Sequence, residues 1–393
     1  MFERVCVVVM DSVGIGELPD AERFGDAGSH TLGHIAERVP TIQLPNLQAL
    51  GLGNIADLPH IPPAASPLAF YGKMAETSVG KDTMTGHWEL MGLHVDIPFE
   101  VYPEGFPEPL IKAFEEKTGR KVLCNRPASG TDVLNEYGEE QMRTGAWIVY
   151  TSADSVFQIA AHEDIIPLDE LYAACKIARE MTLTAPYAVG RVIARPYVGE
   201  PGNFKRTANR HDYALAPPAK TVLNSISESG YDVVSVGKIN DIFSGSGINH
   251  SYPTKSNSHG IETTIERLGD AGKGLIFTNL VDFDSLYGHR RDPEGYARCL
   301  EEFDRALPKM MERVGEKDLL IITADHGNDP IHAGTDHTRE YVPILIYNPA
   351  FAGKTASIGV RSTFADLAAT LAENFGVTGT GHGTSFLSLL TAR

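Results

Sequence analysis

Short runs of apolar and β-branched residues recur along the chain, and each one ends on a polar residue. The runs are RVCVVVMD, GLIFTNLVDFD, DLLIITAD and YDVVSVGK, which end on Asp11, Asp284, Asp325 and Lys238. Amphipathic segments such as PAKTVLNSISESG, PEGYARCLEEFDRALPKMMERVG and TFADLAATLAENFG accompany them, with apolar residues at intervals of three and four. Because strands that alternate with helices build parallel sheets, the pattern predicts an α/β fold with a mostly parallel sheet flanked by helices.

Three of the four strand-like runs end on an aspartate. In open parallel sheets, ligands bind outside the carboxyl ends of the strands. Asp11, Asp284 and Asp325 are therefore expected to place three carboxylates around one crevice. An imidazole, His326, directly follows the last of these, and a buried Asp-His pair is unfavourable unless another group pairs with it.

The stretch 100–216 differs from its flanks. Helix-like EPLIKAFEEKTG and LDELYAACKIAREMT alternate there with strand-like AWIVYTSA and GRVIARPYV, and a basic segment punctuated by proline and glycine closes it. Proline-bearing sequences, DIPFEVYPEGFPEP and ALAPP, lie at its two edges. We therefore predict a catalytic core formed by 1–99 and 217–393, and an inserted α+β cap domain formed by 100–216.

Composition narrows the classes of partner. The chain has 393 residues, and 51 acidic side chains against 34 lysines and arginines give a formal net charge of −17. The negative electrostatic field that this charge produces repels nucleic acid and anionic membranes, so we expect neither as a partner. An anionic small molecule would need a local positive site on the protein. These patterns do not indicate an oligomeric state.

Cysteine usage and the first residues point to a reducing compartment. The four cysteines are scattered without a CxxC pair, which disfavours a disulfide framework or a thiolate zinc site and predicts reduced, buried thiols. The apolar run in MFERVCVVVMD is too short for a membrane span and lacks the pattern of a signal peptide. We expect a soluble, cytoplasmic protein.

A set of carboxylates and imidazoles has the composition of a metal site. VDFDSLYGHRRD contains Asp284 and His289, and GTDHTREY contains Asp336 and His337. The candidate ligands, all in strand-end or loop settings, are Asp11, Asp284, His289, Asp325, His326 and His337. Oxygen and imidazole donors without sulfur suit Mn²⁺, Mg²⁺ or Zn²⁺. A set of six suits two divalent ions, which at roughly 4 Å apart can clamp the attacking and leaving oxygens of a phosphoryl transfer.

Each of these motifs also has an ordinary structural interpretation. A lone Asp-His pair is usually a surface ion pair or a loop cap, and Asp336 is compatible with merely orienting the residue beside it. The combination favours a metal site, because an apolar run followed by Asp-His-Gly occurs together with a second histidine downstream and an Asp-x4-His upstream.

The stretch ETSVGKDTMTGHWELMG offers a hydroxyl nucleophile. Thr83 and Thr85 lie in a glycine-flanked turn that opens a short predicted helix, where free backbone N–H groups favour a phosphate. A threonine hydroxyl needs a base or a metal to become nucleophilic. The alternative is that Asp82 or Thr83 is an ordinary helix N-cap, and spacing alone does not choose between the two threonines.

Several long motifs together resemble a known family. The motifs MDSVGIGE, GKDTMTGHWE, TNLVDFDSLYGHRRD, TADHGNDP and GTDHTREYVP, with further similarity in the cap, resemble the alkaline phosphatase superfamily of metalloenzymes and, more narrowly, the bacterial phosphopentomutases. The resemblance covers essentially the whole chain. It implies two Mn²⁺ ions per chain and Thr83 as the residue that carries phosphate. The ligand sets that it implies are Asp284, His289 and His337 for one ion, and Asp11, Asp325 and His326 for the other.

Substrate recognition away from the metals needs positive and hydrogen-bonding groups. Arg191, Lys238 and the basic run FKRTANRHD, with Lys205, Arg206 and Arg210, are the cationic candidates, although each is also compatible with a solvated surface. Ser152 and Asp154 could hydrogen-bond sugar hydroxyls. The predicted substrate-binding residues are Ser152, Asp154, Arg191, Arg206 and Lys238; the resemblance supports all of these except Arg206.

The resemblance implies an isomerase. Phosphorylated Thr83 would interconvert ribose 1-phosphate, or 2-deoxyribose 1-phosphate, with the 5-phosphate through a 1,5-bisphosphate, after priming by a sugar bisphosphate such as glucose 1,6-bisphosphate. The alternatives are a metal-dependent phosphatase or phosphodiesterase with the same metal core, and a non-catalytic protein that binds metal or sugar phosphate. A phosphoglycerate mutase is disfavoured because its relatives use serine in place of this threonine.

Overall fold

The computed structural model describes residues 1–96, 98–152, 155–270 and 272–391. In chain order, the strands are β1 (Arg4–Met10), β2 (Ala69–Met74), β3 (Val122–Pro127), β4 (Trp147–Thr151), β5 (Val156–His162), β6 (Arg191–Val198), β7 (Lys205–Arg206), β8 (His211–Ala214), β9 (Asp232–Val236), β10 (His250–Tyr252), β11 (Gly274–Leu280), β12 (Asp318–Thr323), β13 (Val342–Tyr347) and β14 (Ser357–Arg361).

The helices are mostly short and are distributed along the whole chain. In chain order, they are α1 (Thr31–Arg38), α2 (Pro45–Leu50), α3 (Thr83–Leu90), α4 (Glu108–Thr118), α5 (Asp132–Thr144), α6 (Leu168–Met181), α7 (Val222–Glu228), α8 (Ile239–Ile242), α9 (Asn257–Gly269), α10 (Pro293–Met311), α11 (Ala365–Phe375) and α12 (Leu387–Thr391). Single 3₁₀ turns occur at Ala21–Phe24, Leu52–Asn54 and Pro349–Phe351, and a π-helical turn occupies Phe283–Gly288.

The chain divides into two compact units. The larger one comprises Met1–Ile97 together with Ala216–Arg393, and the smaller one comprises Pro98–Leu215. Each is described by itself below.

The larger unit is built on one mixed sheet. Among the described residues it has eight strands, in the order β10-β9-β11-β1-β12-β13-β2-β14. The pairings β10–β9, β9–β11, β11–β1, β1–β12 and β2–β14 are parallel, whereas β13 is antiparallel to both of its neighbours. This confirms the predicted α/β class with a mostly parallel, helix-flanked sheet.

The three central strands explain why the sheet forms. Every residue of β11 is buried, as is all of β1 and β12 except the first residue of each. Strands buried on both faces read as continuous aliphatic runs, which is what the sequence shows for β1 and β12. Helices α7, α8 and α9 pack against β9 or β11, and α10 packs on α9.

The smaller unit has its own sheet and core. Its described strands run in the order β3-β4-β5-β6-β7, with β8 also paired to β6, and the pairings are both parallel and antiparallel. Trp147 and Val149 of β4 join α4 and α6 in one apolar cluster. Ile148 and Tyr150 join α5 in the other. The alternation along β4 therefore places helices on both faces of a mixed sheet, an α+β arrangement.

The structure bears on two further expectations, namely reduced, buried cysteines and the absence of a membrane-spanning segment. All four cysteines are free thiols, with Cys6, Cys175 and Cys299 buried as predicted and Cys124 only half-buried. Among the residues whose structure is described, no helix combines the length and the apolar composition needed to cross a bilayer.

Candidate metal centre

The register of the central strands brings three aspartates together. β1 lies between β11 and β12, with Met10 paired to Leu280. Asp11 directly follows β1, Asp325 follows the end of β12 by two residues, and Asp284 lies in the π-helical turn after β11. Because these strands are parallel, their carboxyl ends share one edge of the sheet, and all three carboxylates are buried there.

The first group consists of Asp11, Asp325 and His326. Ligand atoms of these three buried residues lie within 4.8 Å of one another. Nε2 of His326 is 3.4 Å from Oδ1 of Asp11 and 3.3 Å from Oδ2 of Asp325. Neither carboxylate oxygen accepts a well-aligned hydrogen bond from the described residues, although both are buried. Buried anionic oxygens without donors need a cation.

The second group is centred on Asp284. Ligand atoms of Asp284, His326 and His337 also lie within 4.8 Å of one another. Nε2 of His289 is 3.1 Å from Oδ2 of Asp284 and 3.0 Å from Nε2 of His337. The predicted partition assigned His326 to the first group alone, but the structure places it within reach of both. Its ring stacks on that of His337 with the centroids 4.0 Å apart.

Asp336 lies outside these groups. Its Oδ1 accepts a hydrogen bond from the backbone N–H of His337 at 2.8 Å, and its Oδ2 lies 3.3 Å from Nζ of Lys81. The positively charged Lys81 also contacts Asp26. Asp336 thus orients the chain at His337, as the ordinary interpretation of the Asp-His pair expects.

The three imidazoles share one hydrogen-bonding pattern. In each, Nδ1 contacts a backbone carbonyl, which can only accept, so that Nδ1 carries the proton and Nε2 presents a lone pair. The pairs are His289 with Thr335 at 2.8 Å, His326 with Gly327 at 3.0 Å, and His337 with Lys81 at 3.0 Å. The lone pairs of His289 and His337 therefore face each other at 3.0 Å, which is repulsive unless a cation lies between them.

The spacing of the donors fits divalent ions. Metal–ligand bonds of about 2.1 Å place neighbouring ligand atoms about 3.0 Å apart in octahedral and about 3.4 Å apart in tetrahedral coordination. The separations between donor atoms in the two groups, from 3.0 to 3.4 Å, cover that range. A set of carboxylate oxygens and neutral imidazoles without sulfur suits Mn²⁺, Mg²⁺ or Zn²⁺.

The electrostatics of the cluster also favour positive charge. Burial and then the neighbouring Asp325 carboxylate raise the pKa of Asp11 above its usual value. Burial alone would lower the pKa of His326, but the carboxylates of Asp325 and Asp11 outweigh it and hold that pKa well above the ordinary range. The field of the aspartates therefore stabilises a cation at this point.

The two candidate threonines have different environments. Thr83 begins α3, and its hydroxyl oxygen lies 3.1 Å from Nε2 of His326. Thr85 is fully buried and donates its hydroxyl proton to Oδ2 of Asp82 at 2.6 Å. Gly86 brings the helix against the strand end, since a Cβ there would lie 2.1 Å from the carbonyl oxygen of Asp325. Thr83 is thus the threonine whose hydroxyl faces the metal groups.

The start of α3 corrects one expectation about phosphate binding. Asp82 is the N-cap, and its Oδ1 accepts hydrogen bonds from the backbone N–H groups of Met84 and Thr85 at 3.0 and 3.1 Å. The expectation that free N–H groups would be available here is therefore wrong for these two residues. A phosphate bound at Thr83 would therefore need positive groups other than these two N–H groups.

A family comparison agrees with the chemistry of these donors. The model of the metalloenzyme superfamily matches residues 3–379. The chain belongs to the metalloenzyme superfamily. Its members hold metal ions, and the two clusters described above are the candidate sites in this chain.

Three of the solved structures to which this chain is similar are proteins of different kinds. PH0037 from Pyrococcus horikoshii is 14% identical, with 98% of this chain and 100% of that chain covered at a TM-score of 0.49. Phosphoglycerate mutase from Leishmania mexicana is 15% identical, with 98% and 97% covered at a TM-score of 0.49. An alkaline phosphatase superfamily protein from Vibrio parahaemolyticus is 18% identical, with 43% of this chain and 50% of that chain covered at a TM-score of 0.33. Similarity at this level does not identify a substrate.

Sequence reasoning missed Arg339, which holds the loop before Thr83. Its buried guanidinium donates to the carbonyl oxygens of Glu76, Ser78 and Gly80, and to the carboxylates of Glu76 and Asp20. The only local signal is an arginine two residues after His337, which is indistinguishable from a surface arginine. The contacts tie the segment that carries one metal-group histidine to the segment that leads into α3.

The predicted substrate-binding residues lie in both units. In the smaller unit, Ser152 follows β4 and is half-buried, and Arg206 is exposed on β7. Arg191 begins β6, with Nη1 3.7 Å from Oδ2 of Asp212. In the larger unit, Lys238 is exposed directly before α8. Asp154 lies outside the described residues.

The two other cationic candidates of the basic run differ from each other. Lys205 is exposed on β7. Arg210 donates two hydrogen bonds to the carboxylate of Asp212, at 2.7 and 2.6 Å. Part of the positive charge of this run is therefore already matched by a carboxylate of the same unit.

Proposed function

We propose that the chain is a phosphopentomutase, an isomerase that interconverts ribose 1-phosphate and 2-deoxyribose 1-phosphate with the corresponding 5-phosphates. The observation that carries the proposal is the hydroxyl of Thr83, 3.1 Å from the Nε2 lone pair of a histidine that both metal groups share. Membership of the metalloenzyme superfamily supports a metal-dependent reaction. The choice of a pentose phosphate rests on the motif resemblance.

The proposed cofactors are two Mn²⁺ ions. Bound ions would neutralise charge on the phosphoryl oxygens and activate the attacking hydroxyl. The residues proposed to hold them are Asp11, Asp284, His289, Asp325, His326 and His337. The protein positions these donors rigidly, because the three imidazoles are fixed by backbone carbonyls and the aspartates lie at the ends of buried neighbouring strands.

Thr83 alternates between two covalent states in the proposed cycle. In the phosphorylated enzyme, the bond between phosphorus and Oγ1 of Thr83 breaks as a hydroxyl of the bound pentose monophosphate attacks phosphorus; that hydroxyl loses its proton, and Oγ1 of Thr83 gains one to become a hydroxyl again. The product is a pentose 1,5-bisphosphate. Its other phosphoryl group then returns to Thr83, leaving the isomeric monophosphate. Such a transfer depends mainly on positioning and charge neutralisation.

Two requirements follow from this cycle. An enzyme without phosphate on Thr83 needs a priming sugar bisphosphate, such as glucose 1,6-bisphosphate. The sugar phosphate also needs groups to hold it, for which Ser152, Asp154, Arg191, Arg206 and Lys238 remain the predicted residues. The alternative, a metal-dependent phosphatase or phosphodiesterase, would transfer the phosphoryl group from Thr83 to water instead of to a sugar hydroxyl.

One experiment separates these functions. Mn²⁺-loaded protein is incubated with ribose 5-phosphate, with and without glucose 1,6-bisphosphate, and ribose 1-phosphate and inorganic phosphate are both quantified. A mutase gives primer-dependent ribose 1-phosphate in excess over inorganic phosphate. Inorganic phosphate as the main product would instead support the phosphatase, and the absence of both products would remove pentose phosphates as substrates. Thr83→Val serves as the inactive control.

A further inference from the structure

A buried histidine outside the candidate ligand set contacts both the nucleophile segment and a metal-group aspartate. His87 lies on α3, one turn after Thr83, and is fully buried. Its Nδ1 lies 2.8 Å from the carbonyl oxygen of Thr83 and 3.1 Å from Oδ2 of Asp325. Its Nε2 lies 3.3 Å from Nδ2 of Asn279 on β11. Each ring nitrogen therefore has a neighbour that belongs to a different element.

The contacts of Asn279 determine the proton positions in this network. The amide Nδ2 of Asn279 also lies 2.8 Å from Oδ2 of Asp11, to which it must donate. The reverse orientation of the amide would point its oxygen at a carboxylate, which is repulsive. Since Nδ2 is the donor, Nε2 of His87 accepts and Nδ1 carries the proton. That proton is then directed at the Thr83 carbonyl and lies beside Asp325.

In each of two carboxylates, one oxygen accepts a hydrogen bond and the other is left to face the candidate cation position. Oδ2 of Asp11 is held by Asn279, and Oδ1 of Asp325 is held by the backbone N–H of Ser12 at 3.0 Å. The remaining oxygens, Oδ1 of Asp11 and Oδ2 of Asp325, accept no well-aligned hydrogen bond from the described residues and lie near Nε2 of His326. Oδ2 of Asp325 also lies 3.1 Å from the protonated Nδ1 of His87, so the orientation of the two carboxylates depends on Asn279, Ser12 and His87.

We propose that His87 and Asn279 act as a positioning pair, which orients Asp11 and Asp325 toward the cation that these share with His326 and fixes the first turn of α3 against them. The same pair thereby couples the affinity of one metal group to the position of the Thr83 hydroxyl. Neither residue touches the substrate in this role. The inference rests on the metal assignment within the proposed function and does not depend on which sugar phosphate is the substrate.

The test measures Mn²⁺ binding without any sugar phosphate, by titration of the free-ion electron paramagnetic resonance signal. His87→Phe keeps an aromatic ring beside Phe277 but removes both hydrogen bonds. Asn279→Leu removes the donor to Asp11 at nearly constant volume. We expect two Mn²⁺ ions to bind the unmodified protein. In each variant, the affinity for one ion should fall by about 10- to 100-fold, and the affinity for the other should stay within a few-fold of its original value.

Two further variants separate positioning from a general loss of packing. His87→Asn keeps a donor near the position of Nδ1, and we expect it to recover part of the lost affinity. Trp88→Phe is the matched control, because it lies on the same helix, is buried and loses one N–H donor, to Ile242 at 3.0 Å. It should bind both ions as the unmodified protein does.

Coupling between the two residues is read from the double variant His87→Phe/Asn279→Leu. Because both residues act on the same ion through one shared contact, the double variant should lose less affinity than the product of the two single losses. The proposal is overturned if His87→Phe binds two ions with unchanged affinity, or if its affinity for both ions falls equally. It is also overturned if the loss of affinity in the double variant equals the product of the losses in the two single variants. Pentose phosphate isomerisation could fail in the separate assay while this result still held, so the two proposals are tested independently.

Discussion

The hydroxyl oxygen of Thr83 lies 3.1 Å from Nε2 of His326, although 243 residues separate them in the chain. When His326 is neutral and its Nδ1 donates to the carbonyl of Gly327, as a metal ligand requires, Nε2 has a lone pair and the hydroxyl is the donor. The same lone pair lies within reach of both groups of candidate metal ligands. The hydroxyl proposed as nucleophile is therefore directed at the atom around which the metal ligands assemble.

Replacement of each threonine by valine should separate the chemical role from the structural one. We expect Thr83→Val to abolish phosphoryl transfer, by at least about 10³-fold, because no other group would carry the phosphate. Its metal content should stay near that of the unmodified protein. Thr85→Val should keep transfer and lose about 1 kcal/mol of stability with the buried hydrogen bond to Asp82. Activity assays and denaturant unfolding check both. Retained transfer in Thr83→Val would disprove the assignment.

The two metal groups should be separable by single substitutions. Asp11→Asn and Asp284→Asn each remove a charge from one group, so each variant should retain one tightly bound ion where the unmodified protein retains two. His326→Ala should weaken both ions, because its Nε2 belongs to both groups. Metal content after gel filtration, measured by mass spectrometry, gives the stoichiometry. If the two asparagine variants kept both ions, the ligand assignment would be wrong.

Arg339 should be among the largest single contributions to stability. Arg339→Met would leave Glu76 buried without its cationic partner, whose charge opposes the burial that raises the pKa of Glu76 well above its usual value. We expect a loss of about 3–5 kcal/mol in the free energy of unfolding, as for other broken buried ion pairs. The double variant Glu76→Gln/Arg339→Met should recover part of the loss.

An exposed ion pair provides the comparison for Arg339. The side chain of Arg38 is 62% exposed and lies 3.3 Å from Glu294. Because solvent screens such a pair, Arg38→Met should change stability by less than about 1 kcal/mol. Urea unfolding of both variants under one set of conditions measures the difference. Equal effects in Arg38→Met and Arg339→Met would contradict the role assigned to the buried guanidinium.

Stability should also depend on pH through Glu340. Burial raises the pKa of this carboxyl to about 6, against the hydrogen bonds from Thr338 and Thr31 that favour its charged form. The folded state thus binds the proton more tightly than the unfolded state does. The contribution of this group to the free energy of unfolding is therefore greatest below about pH 4.5 and falls by about 2 kcal/mol as the pH rises past 6.

The comparison that isolates this effect uses Glu340→Gln, which does not titrate. The stability of the unmodified protein minus that of the variant should decrease between pH 4.5 and 6.5 in urea unfolding series of the metal-free proteins. A flat or rising difference would contradict the raised pKa of Glu340 in the folded state.

Thiol reactivity should single out Cys124. Burial raises the pKa of both Cys6 and Cys299 to about 12, and it raises the pKa of Cys175 as well, so these thiols carry little thiolate at pH 8 and are shielded. Cys124 is half-buried and should react with a disulfide reagent slowly and alone. The Cys124→Ser variant should not react with the reagent until it is denatured. Reaction of more than one thiol in the native unmodified protein would contradict the prediction.

The sequence signals for the fold were strongest where burial is most complete. The strands β1 and β12 are continuous apolar runs because both faces of the sheet are covered, and β11 is buried along its whole length although it contains Thr278 and Asn279. β2 and β14 were not predicted, and neither were β10 and the buried β13. β2 contains Gly72 and Lys73, and β14 is a short edge strand with glycine and exposed residues. Their pairing partners are also far away in the chain, since β13 joins β2 across more than 250 residues.

The sequence by itself determined the chemistry that this protein can offer. Aspartates at the ends of apolar runs, histidines nearby and the absence of paired cysteines already specify oxygen and nitrogen ligands for a hard or borderline cation. Those features are local, because a strand ends where its apolar run ends.

Only the tertiary structure decided how these groups are used. It distinguished Thr83 from Thr85, placed His326 with both metal groups, gave the N–H groups at the start of α3 to Asp82, and joined His87 to Asn279. Each of these outcomes depends on a distance and a direction between atoms on different elements. Sheet register and helix packing set such distances to within a few tenths of an ångström, and no local pattern in the chain contains them.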